Sequence, residues 1–323
     1  MQLLYQGTSF IVKDGETVLE CLLRHEKAIP HSCKSGVCQS CMMQAPKGNV
    51  PRNAQNGLKS TLQQQNIFLA CQCRPGEDME VCDADDAGVS VTATLHEREM
   101  LNHNVMRVVL KLSAPFQGEP GQYITLINPD NVGRSYSIAN QPQNTGEIEL
   151  HIRLIDGGAM SGWLKDKAQL NEEITVRGPA GNCFYVKSEG NDYPIILAGT
   201  GTGLAPLYGI VHEALLQNHK GKVTLLHGAL IQDDLYLVKA LQELSDTHEN
   251  FTYVPCVLQG EDEQFYRHGD IKDVLVEHFP DDKSDLRLFL CGAPEIVNIL
   301  KREAFLGGVA SKHIYADAFL PSK

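Results

Sequence analysis

Three textures of apolar and polar residues follow one another along the chain. Near the start, short apolar-rich stretches at 2–6 and 10–13 flank Gly7-Thr8-Ser9 and predict a hairpin. Thr17-Val18-Leu19-Glu20 has the S/T-x-x-E form of a capping box. Leu19, Leu22 and Leu23 then share one apolar face, so a helix is predicted from Thr17 until Pro30 ends it. Between 91 and 187 the pattern changes to short alternating strands separated by turns, at 91–95, 106–112, 123–127, 148–154 and 173–177. Strands of that length and spacing predict an all-β barrel. Beyond residue 189, apolar runs of strand length at 193–198, 223–227, 252–258 and 286–290 alternate with helical stretches such as 207–217 and 235–244. That alternation predicts a parallel sheet of βαβ units. A chain of 323 residues suits two or three domains, and the breaks fall at 1–88, 91–188 and 189–323, with 83–90 as a linker.

Charge narrows the range of functions. A formal net charge of -12 argues against a nucleic-acid binder, which must displace phosphate counterions with basic residues. Of the 40 acidic residues, 30 lie after residue 90, so the excess bears on solubility and not on fold. The acidic stretch 77–86 reads either as a docking surface or, the blander choice, as a solvated domain exit. No run approaches the roughly 20 apolar residues a membrane span needs. The first ten residues lack the basic start and apolar core of a signal peptide, and a cytoplasmic location is expected. Ten cysteines would be dense for that compartment as disulfides, and seven of them precede residue 90. A bound metal explains that crowding better.

The crowding has a pattern. In His31-Ser32-Cys33-Lys34-Ser35-Gly36-Val37-Cys38-Gln39-Ser40-Cys41 the spacing is C-x4-C-x2-C, and Cys71 follows at the end of the apolar stretch 67–70. This is the spacing of plant-type [2Fe–2S] ligation, with Cys33, Cys38, Cys41 and Cys71 as metal ligands. A zinc site would place C-x2-4-C knuckles in pairs, and Cys71-x-Cys73 is one residue too tight for the second. Cys21 reads as a small buried hydrophobe, and Cys73 and Cys82 as bystanders. The segment resembles a plant-type ferredoxin domain of β-grasp fold.

Two motifs stand on the predicted barrel. Arg134-Ser135-Tyr136-Ser137 follows a turn, and Gly157-Gly158-Ala159-Met160-Ser161-Gly162 precedes a helical stretch beginning at Trp163. Glycines ahead of a helix open backbone N–H groups to a phosphate. Either motif alone is weak; their order and separation resemble the FAD domain of the ferredoxin–NADP reductase superfamily. That resemblance implies that Arg134 pairs with the FAD pyrophosphate, Tyr136 stacks on the isoalloxazine and Ser137 hydrogen-bonds near its reactive nitrogen. It also implies a flavin-side strand at His151-Ile152-Arg153, and a pyrophosphate cradle formed by Gly158, Ala159, Met160 and Ser161. Trp163, the single tryptophan, reads as core.

In the last third, the apolar run 193–198 leads into Gly199-Thr200-Gly201-Thr202-Gly203-Leu204-Ala205-Pro206 and then an amphipathic stretch. Strand, glycine loop and helix is the context a dinucleotide loop requires, although a strict G-x-G-x-x-G is absent. Pro206 suits a first helical turn. Cys291-Gly292-Ala293-Pro294 follows its strand at a carboxyl end, where open α/β sheets bind ligands. Both motifs resemble the NAD(P) domain of the same superfamily. By that likeness Gly199, Gly201, Thr202, Gly203 and Pro206 bind the dinucleotide, with Cys291, Gly292 and Pro294 beside the nicotinamide. Cys291 would orient the ring without acting as a nucleophile, and Phe319 would lie near the isoalloxazine. Tyr136, Ser137 and Cys291 are then the residues at the reacting centre. The segment 228–236 holds two acids and no base, which favours NADH over NADPH and makes Asp234 a candidate for the ribose diol.

The resemblance implies an iron–sulfur flavoprotein that carries electrons from NADH through FAD to a [2Fe–2S] cluster and on to a redox-protein acceptor. The ending His313-Ile314-Tyr315-Ala316-Asp317-Ala318-Phe319 is similar to that of reductases serving naphthalene-type ring-hydroxylating dioxygenases, so an oxygenase component is the expected acceptor. A desaturase or a deoxysugar dehydrase would need the same donor. A non-catalytic redox sensor is the alternative from another class, but it would have no use for nicotinamide motifs.

Overall fold

The computed structural model describes the chain except for residues 30, 32–33, 37–40, 85–88, 131, 188–192, 261–265 and 320–323. The chain folds as two compact units, Met1–Gly88 and Val89–Lys323.

In the first unit, β1 (Gln2–Tyr5) and β2 (Thr8–Ile11) form a hairpin. Its turn falls on Gln6 and Gly7, both at positive φ, one residue earlier than the sequence suggests. Positive φ at both central positions twists a two-residue turn to match its strands. Helix α1 (Val18–Arg24) follows with the predicted box complete: the Glu20 N–H donates to Thr17 Oγ1 and the Thr17 N–H to Glu20 Oε2. Next come β3 (Met42–Lys47), α2 (Ser60–Gln64), β4 (Ile67–Leu69) and β5 (Met79–Asp83). The sheet runs β2-β1-β5-β3-β4, with β1 and β5 parallel, and is of β-grasp type. Leu3, Val18, Leu22, Met43 and Phe68 fill its core. Thr17→Ala removes one donor–acceptor pair at the cap and is expected to cost about 1 kcal/mol. Urea denaturation of the full chain, followed at the first unit's transition, checks this.

The second unit opens with β6 (Val89–Met100), β7 (Val105–Leu112), β8 (Tyr123–Ile127) and β9 (Gly133–Ser137). Short helix α3 (Pro142–Thr145), β10 (Glu147–Arg153), α4 (Ala159–Asp166) and β11 (Glu173–Ala180) complete its first half. The six strands lie in the antiparallel order β10-β7-β6-β11-β8-β9. An Ala139 N–H donating to the Glu149 carbonyl at 2.9 Å draws the end of β9 back to β10. Trp163 sits in this core with Leu110, Leu126 and Leu150.

The second half alternates strand and helix: β12 (Ile195–Thr200), α5 (Leu204–Leu216), β13 (Val223–Ala229), α6 (Val238–Thr247) and β14 (Phe251–Val257). It continues through β15 (Arg267–His268), α7 (Ile271–Glu277), β16 (Arg287–Gly292), α8 (Pro294–Leu306) and β17 (Ile314–Ala318). All neighbours pair parallel in the order β15-β14-β13-β12-β16-β17. The chain therefore reverses its direction of growth between β12 and β16, which opens a crevice at their carboxyl ends. Helix α6 begins three residues later than the pattern suggests. A 3₁₀ turn at Gln232–Asp234 intervenes, and Leu235 and Tyr236 are buried ahead of the helix.

Candidate functional site

The crevice gathers motifs from both halves of the second unit. Gly199 at the end of β12 pairs with Cys291 on β16. A Cβ on Gly203 would stand 2.3 Å from the Cys291 carbonyl oxygen, so only glycine lets the loop settle on that strand. Gly201 takes φ +54, a left-handed turn that leads into α5. Pro206 is buried in the first turn of that helix. At Gly292, φ is +134 and a Cβ would meet the Thr200 carbonyl oxygen at 3.1 Å, while Pro294 opens α8. Thr202 is half-buried at the same turn.

Ser137, at the end of β9, donates from Oγ to Asp317 Oδ2 on β17 at 3.3 Å. Burial pushes the Asp317 carboxyl up, and this hydrogen bond partly offsets it. Phe319 follows at once, its N–H bonded to the Gly292 carbonyl at 2.9 Å. The strand carrying Arg134, Tyr136 and Ser137 and the loop carrying Cys291 and Gly292 are thus joined through β17. Burial drives the Tyr136 phenol up to about 12, so its hydroxyl stays protonated at neutral pH. Burial also raises the Cys291 thiol well above its ordinary value. A protonated thiol is a poor nucleophile and suits an orienting role.

The residues present fit FAD. Among the described residues, the Arg134 guanidinium has one bond, to the adjacent Gly133 carbonyl at 2.6 Å, which leaves further N–H donors for an anion. Gly158 caps α4, and a Cβ there would strike Ser161 Oγ at 2.5 Å. Ser161 Oγ also accepts from the Ile155 N–H at 3.3 Å, which fixes the loop that presents the first-turn N–H groups. Met160 is buried in the barrel core, so it and Ala159 can offer only backbone. Of the His151-Ile152-Arg153 strand, Ile152 is core, Arg153 is exposed and His151 faces elsewhere.

His151 lies in a buried joint between barrel and sheet. Its Nε2 stands 3.0 Å from Glu149 Oε1 and its Nδ1 3.3 Å from the Tyr236 hydroxyl. An Nε2–H donating to the carboxylate leaves Nδ1 to accept the tyrosine proton. Arg107 grips Glu149 through Nε and Nη2, both at 2.8 Å, and reaches Glu97 and Glu99 with Nη1. Tyr236 in turn lies edge-on to His227, whose Nδ1 meets the Tyr253 hydroxyl at 3.0 Å. No short sequence pattern announces this joint; its members are far apart in the chain.

Burial pushes the Glu149 carboxyl up, but hydrogen bonds from His151 and Arg107 outweigh it and hold the group below the usual glutamate range. A depressed folded pKa contributes stability above the unfolded value and loses it as pH falls through the folded one. Glu149→Gln should lower neutral-pH stability by about 2 kcal/mol. That is less than for an isolated buried pair, because Arg107 keeps Glu97 and Glu99. Thermal melts from neutral to acid pH should show a shallower acid limb in the variant.

Asp234 does not face open solvent alone. Its Oδ2 accepts from the Ile231 N–H at 3.4 Å and its Oδ1 lies 3.4 Å from His103 Nε2, while Asn102 bonds its carbonyl. Asp233, His103 and Ile231 line a recess of about 410 Å³.

In the first unit, Cys33 and Cys38 lie outside the described residues. The other two cysteines of that set are brought together: the Ala70 N–H donates to the Cys41 carbonyl at 3.0 Å, which sets Cys71 beside Cys41. The segment is anchored from behind, because the first N–H groups of α1, at Val18 and Leu19, donate to the Cys73 and Ala70 carbonyls. Gln72 Nε2 reaches Cys71 Sγ at 3.5 Å and the Lys34 carbonyl at 3.4 Å, so the 34–36 turn folds over the Cys71 segment. Gly36 takes φ +84 there. This arrangement fits a cluster held between that loop and Cys71. Cys21 and Cys73 are fully buried and Cys82 partly so.

No helix among the described residues is long and apolar enough to cross a membrane. Three family models match: a 2Fe-2S iron-sulfur cluster binding domain over residues 3–76, an oxidoreductase FAD-binding domain over 92–185 and an oxidoreductase NAD-binding domain over 197–302. The chain is 34% identical to the reductase subunit of an aromatic O-demethylase from Amycolatopsis sp., over 95% of each. It is 32% identical to the ferredoxin–NAD(P)(+) reductase component of the naphthalene 1,2-dioxygenase system of Pseudomonas putida, over 99% of each. The crystal structure of the Amycolatopsis cytochrome P450 reductase GcoB superposes with a TM-score of 0.69 at 32% identity, covering 99% of both chains. With three cofactor domains in one chain and full-length likeness to such reductases, this protein belongs to the ferredoxin-fused oxygenase reductases of the ferredoxin–NADP reductase family, oxidoreductases that use NAD, FAD and a [2Fe–2S] cluster.

Proposed function

We propose that this chain draws electrons from NADH and delivers them to the terminal component of an oxygenase system, acting in the cytoplasm where the NADH pool lies. The observation that supports this best is the junction at β17: Ser137 of the barrel bonds Asp317, and Phe319 bonds Gly292 of the Cys-Gly-Ala-Pro turn. One short strand therefore ties the flavin-side motif to the nicotinamide-side motif.

When bound, FAD would supply acceptance of one hydride, two electrons at once, and their release one at a time, and a [2Fe–2S] cluster would hold a single electron. The chain's own residues supply position and charge. Arg134 neutralises pyrophosphate, and the N–H groups of Ala159, Met160 and Ser161 in the first turn of α4 add to it, while Gly158, its own N–H held by the Ile155 carbonyl, gives the ligand close approach to the backbone. Tyr136 offers a protonated, half-buried ring for stacking and Ser137 a hydroxyl already oriented by Asp317. In the strand His151-Ile152-Arg153, backbone groups and the exposed Arg153 are the parts turned to ligand. Gly199, Gly201, Thr202, Gly203 and Pro206 shape the turn that receives the dinucleotide, while Cys291, Gly292 and Pro294 wall the nicotinamide. The ribose diol falls to Asp234, whose carboxylate makes, among the described residues, only 3.4 Å contacts to the Ile231 N–H and His103, with Asp233 on the adjoining recess. Cys33, Cys38, Cys41 and Cys71 are the proposed cluster ligands. The domain limits that go with these assignments are 1–88, 91–188 and 189–323.

An oxygenase is the preferred acceptor because the relatives at 34% and 32% identity serve a demethylase and a dioxygenase. A Yersinia pestis reductase for a deoxyhexulose dehydrase matches at 28% and keeps that alternative second. Iron and flavin analysis of the purified chain, with an anaerobic NADH titration, tests the reading. About two irons per flavin are expected, with both chromophores bleached by NADH; zinc in place of iron, or flavin that NADH does not bleach, would overturn it.

A further inference from the structure

Two thiols touch at the seam between the barrel and the nucleotide sheet. Cys183 Sγ and Cys291 Sγ are 3.7 Å apart, although 108 residues separate them in sequence. Cys183 lies on the segment leaving β11, and Cys291 on β16. Both backbones are pinned: a Cβ at Gly121 would stand 2.2 Å from the Cys183 carbonyl oxygen, much as Gly203 abuts that of Cys291. The pair therefore cannot drift apart without repacking either side. A recess of about 210 Å³ lined by Tyr123, Gly181, Cys183 and Asp317 adjoins the pair, with Cys183 itself 2% exposed. A water molecule takes about 30 Å³, so a neutral oxidant little larger than water has room there.

We propose that Cys183 and Cys291 are an oxidative modification site, forming a reversible disulfide when the protein meets hydrogen peroxide. Peroxide first converts the Cys183 thiol to a sulfenic acid and leaves as water. The Cys291 sulfur then displaces the hydroxyl from Cys183, the S–S bond forms, and the hydroxyl departs with the Cys291 proton as a second water. Two thiols lose two electrons and one peroxide gains them. The sulfurs close from 3.7 Å to about 2.05 Å. The order of steps follows from position. Cys183 lines the recess, whereas Cys291 is fully buried behind it and in contact with its sulfur, and the Cys291 proton leaves with the hydroxyl in the same step, so no free thiolate is needed. Cys291 is thus the resolving partner. The bond would draw its sulfur away from the glycine turn and staple the barrel to the nucleotide sheet.

The full-length holoprotein is treated with hydrogen peroxide, alkylated, digested without reductant and examined by mass spectrometry. A peptide linking residues 183 and 291, separated by dithiothreitol, is expected. NADH-dependent ferricyanide reduction, which does not need the cluster, should fall by about fivefold and return with dithiothreitol. Cys183→Ser and Cys183→Ala should each keep their activity through the same treatment. Absence of the linked peptide at a dose that oxidises other thiols, or equal loss of activity in both variants, would overturn the proposal. The peptide is read by mass alone, so its presence or absence is decided separately from the NADH reading.

Discussion

Gly203→Ala is expected to cut NADH-dependent ferricyanide reduction by about 100-fold while the flavin stays bound. The added methyl carbon would lie 2.3 Å from the Cys291 carbonyl oxygen, 2.6 Å from its carbon and 2.9 Å from the Gly292 Cα. All three are backbone atoms of a central strand, so no side-chain rotation relieves the clash. The loop must lift off β16, and the two walls of the proposed nicotinamide site separate by about 1 Å, enough to spoil near-attack geometry. Flavin content should persist, because the barrel groups that fit FAD lie elsewhere. Gly76→Ala, where no atom lies within 4 Å of the added carbon, serves as the control and should match the parent. Activity within twofold of the parent for Gly203→Ala would show that this contact does not set the geometry.

The second large effect is a split between two activities. Cys41→Ser should lose most of its iron and about 100-fold of its NADH-dependent cytochrome c reduction, yet reduce ferricyanide within twofold of the parent. Serine is a hard, poorly acidic ligand where a soft thiolate is needed. Cys41 is buried, with its carbonyl bonded to the Ala70 N–H, so the backbone beside it stays in place and the change is confined to the sulfur. Cys73→Ala, two residues beyond the proposed ligand Cys71, should retain iron. Should both activities fall together in Cys41→Ser with FAD retained, the proposed order of electron carriers would be wrong.

Local signals were the legible ones. The capping box at Thr17 was readable because its two hydrogen bonds span three residues, and the strand–glycine–helix order near Gly199 because each part is contiguous. Boundaries slipped where burial overruled pattern. Leu235 and Tyr236 carry helix-like spacing, but the fold buries them against β13 and the barrel joint before α6 begins. Side-chain use within the site was less accessible still. Nothing near His151 in sequence points to Tyr236, and nothing near Asp234 points to His103, because both partners arrive from the other half of the unit. The contact between Cys183 and Cys291 is hidden for the same reason.

His227 carries one last consequence. The imidazole is wholly enclosed in β13 between Tyr236 and Tyr253, and Nε2 has no partner among the described residues. Burial lowers its pKa from 6.5 to about 3. An unfolded chain gains a proton there near 6.5 that the native sheet refuses until about 3, so mild acid favours unfolding throughout that interval. The second unit should therefore begin to lose stability as the pH falls below about 6.5, through His227 in its nucleotide-binding sheet, before carboxylates of ordinary pKa take up protons.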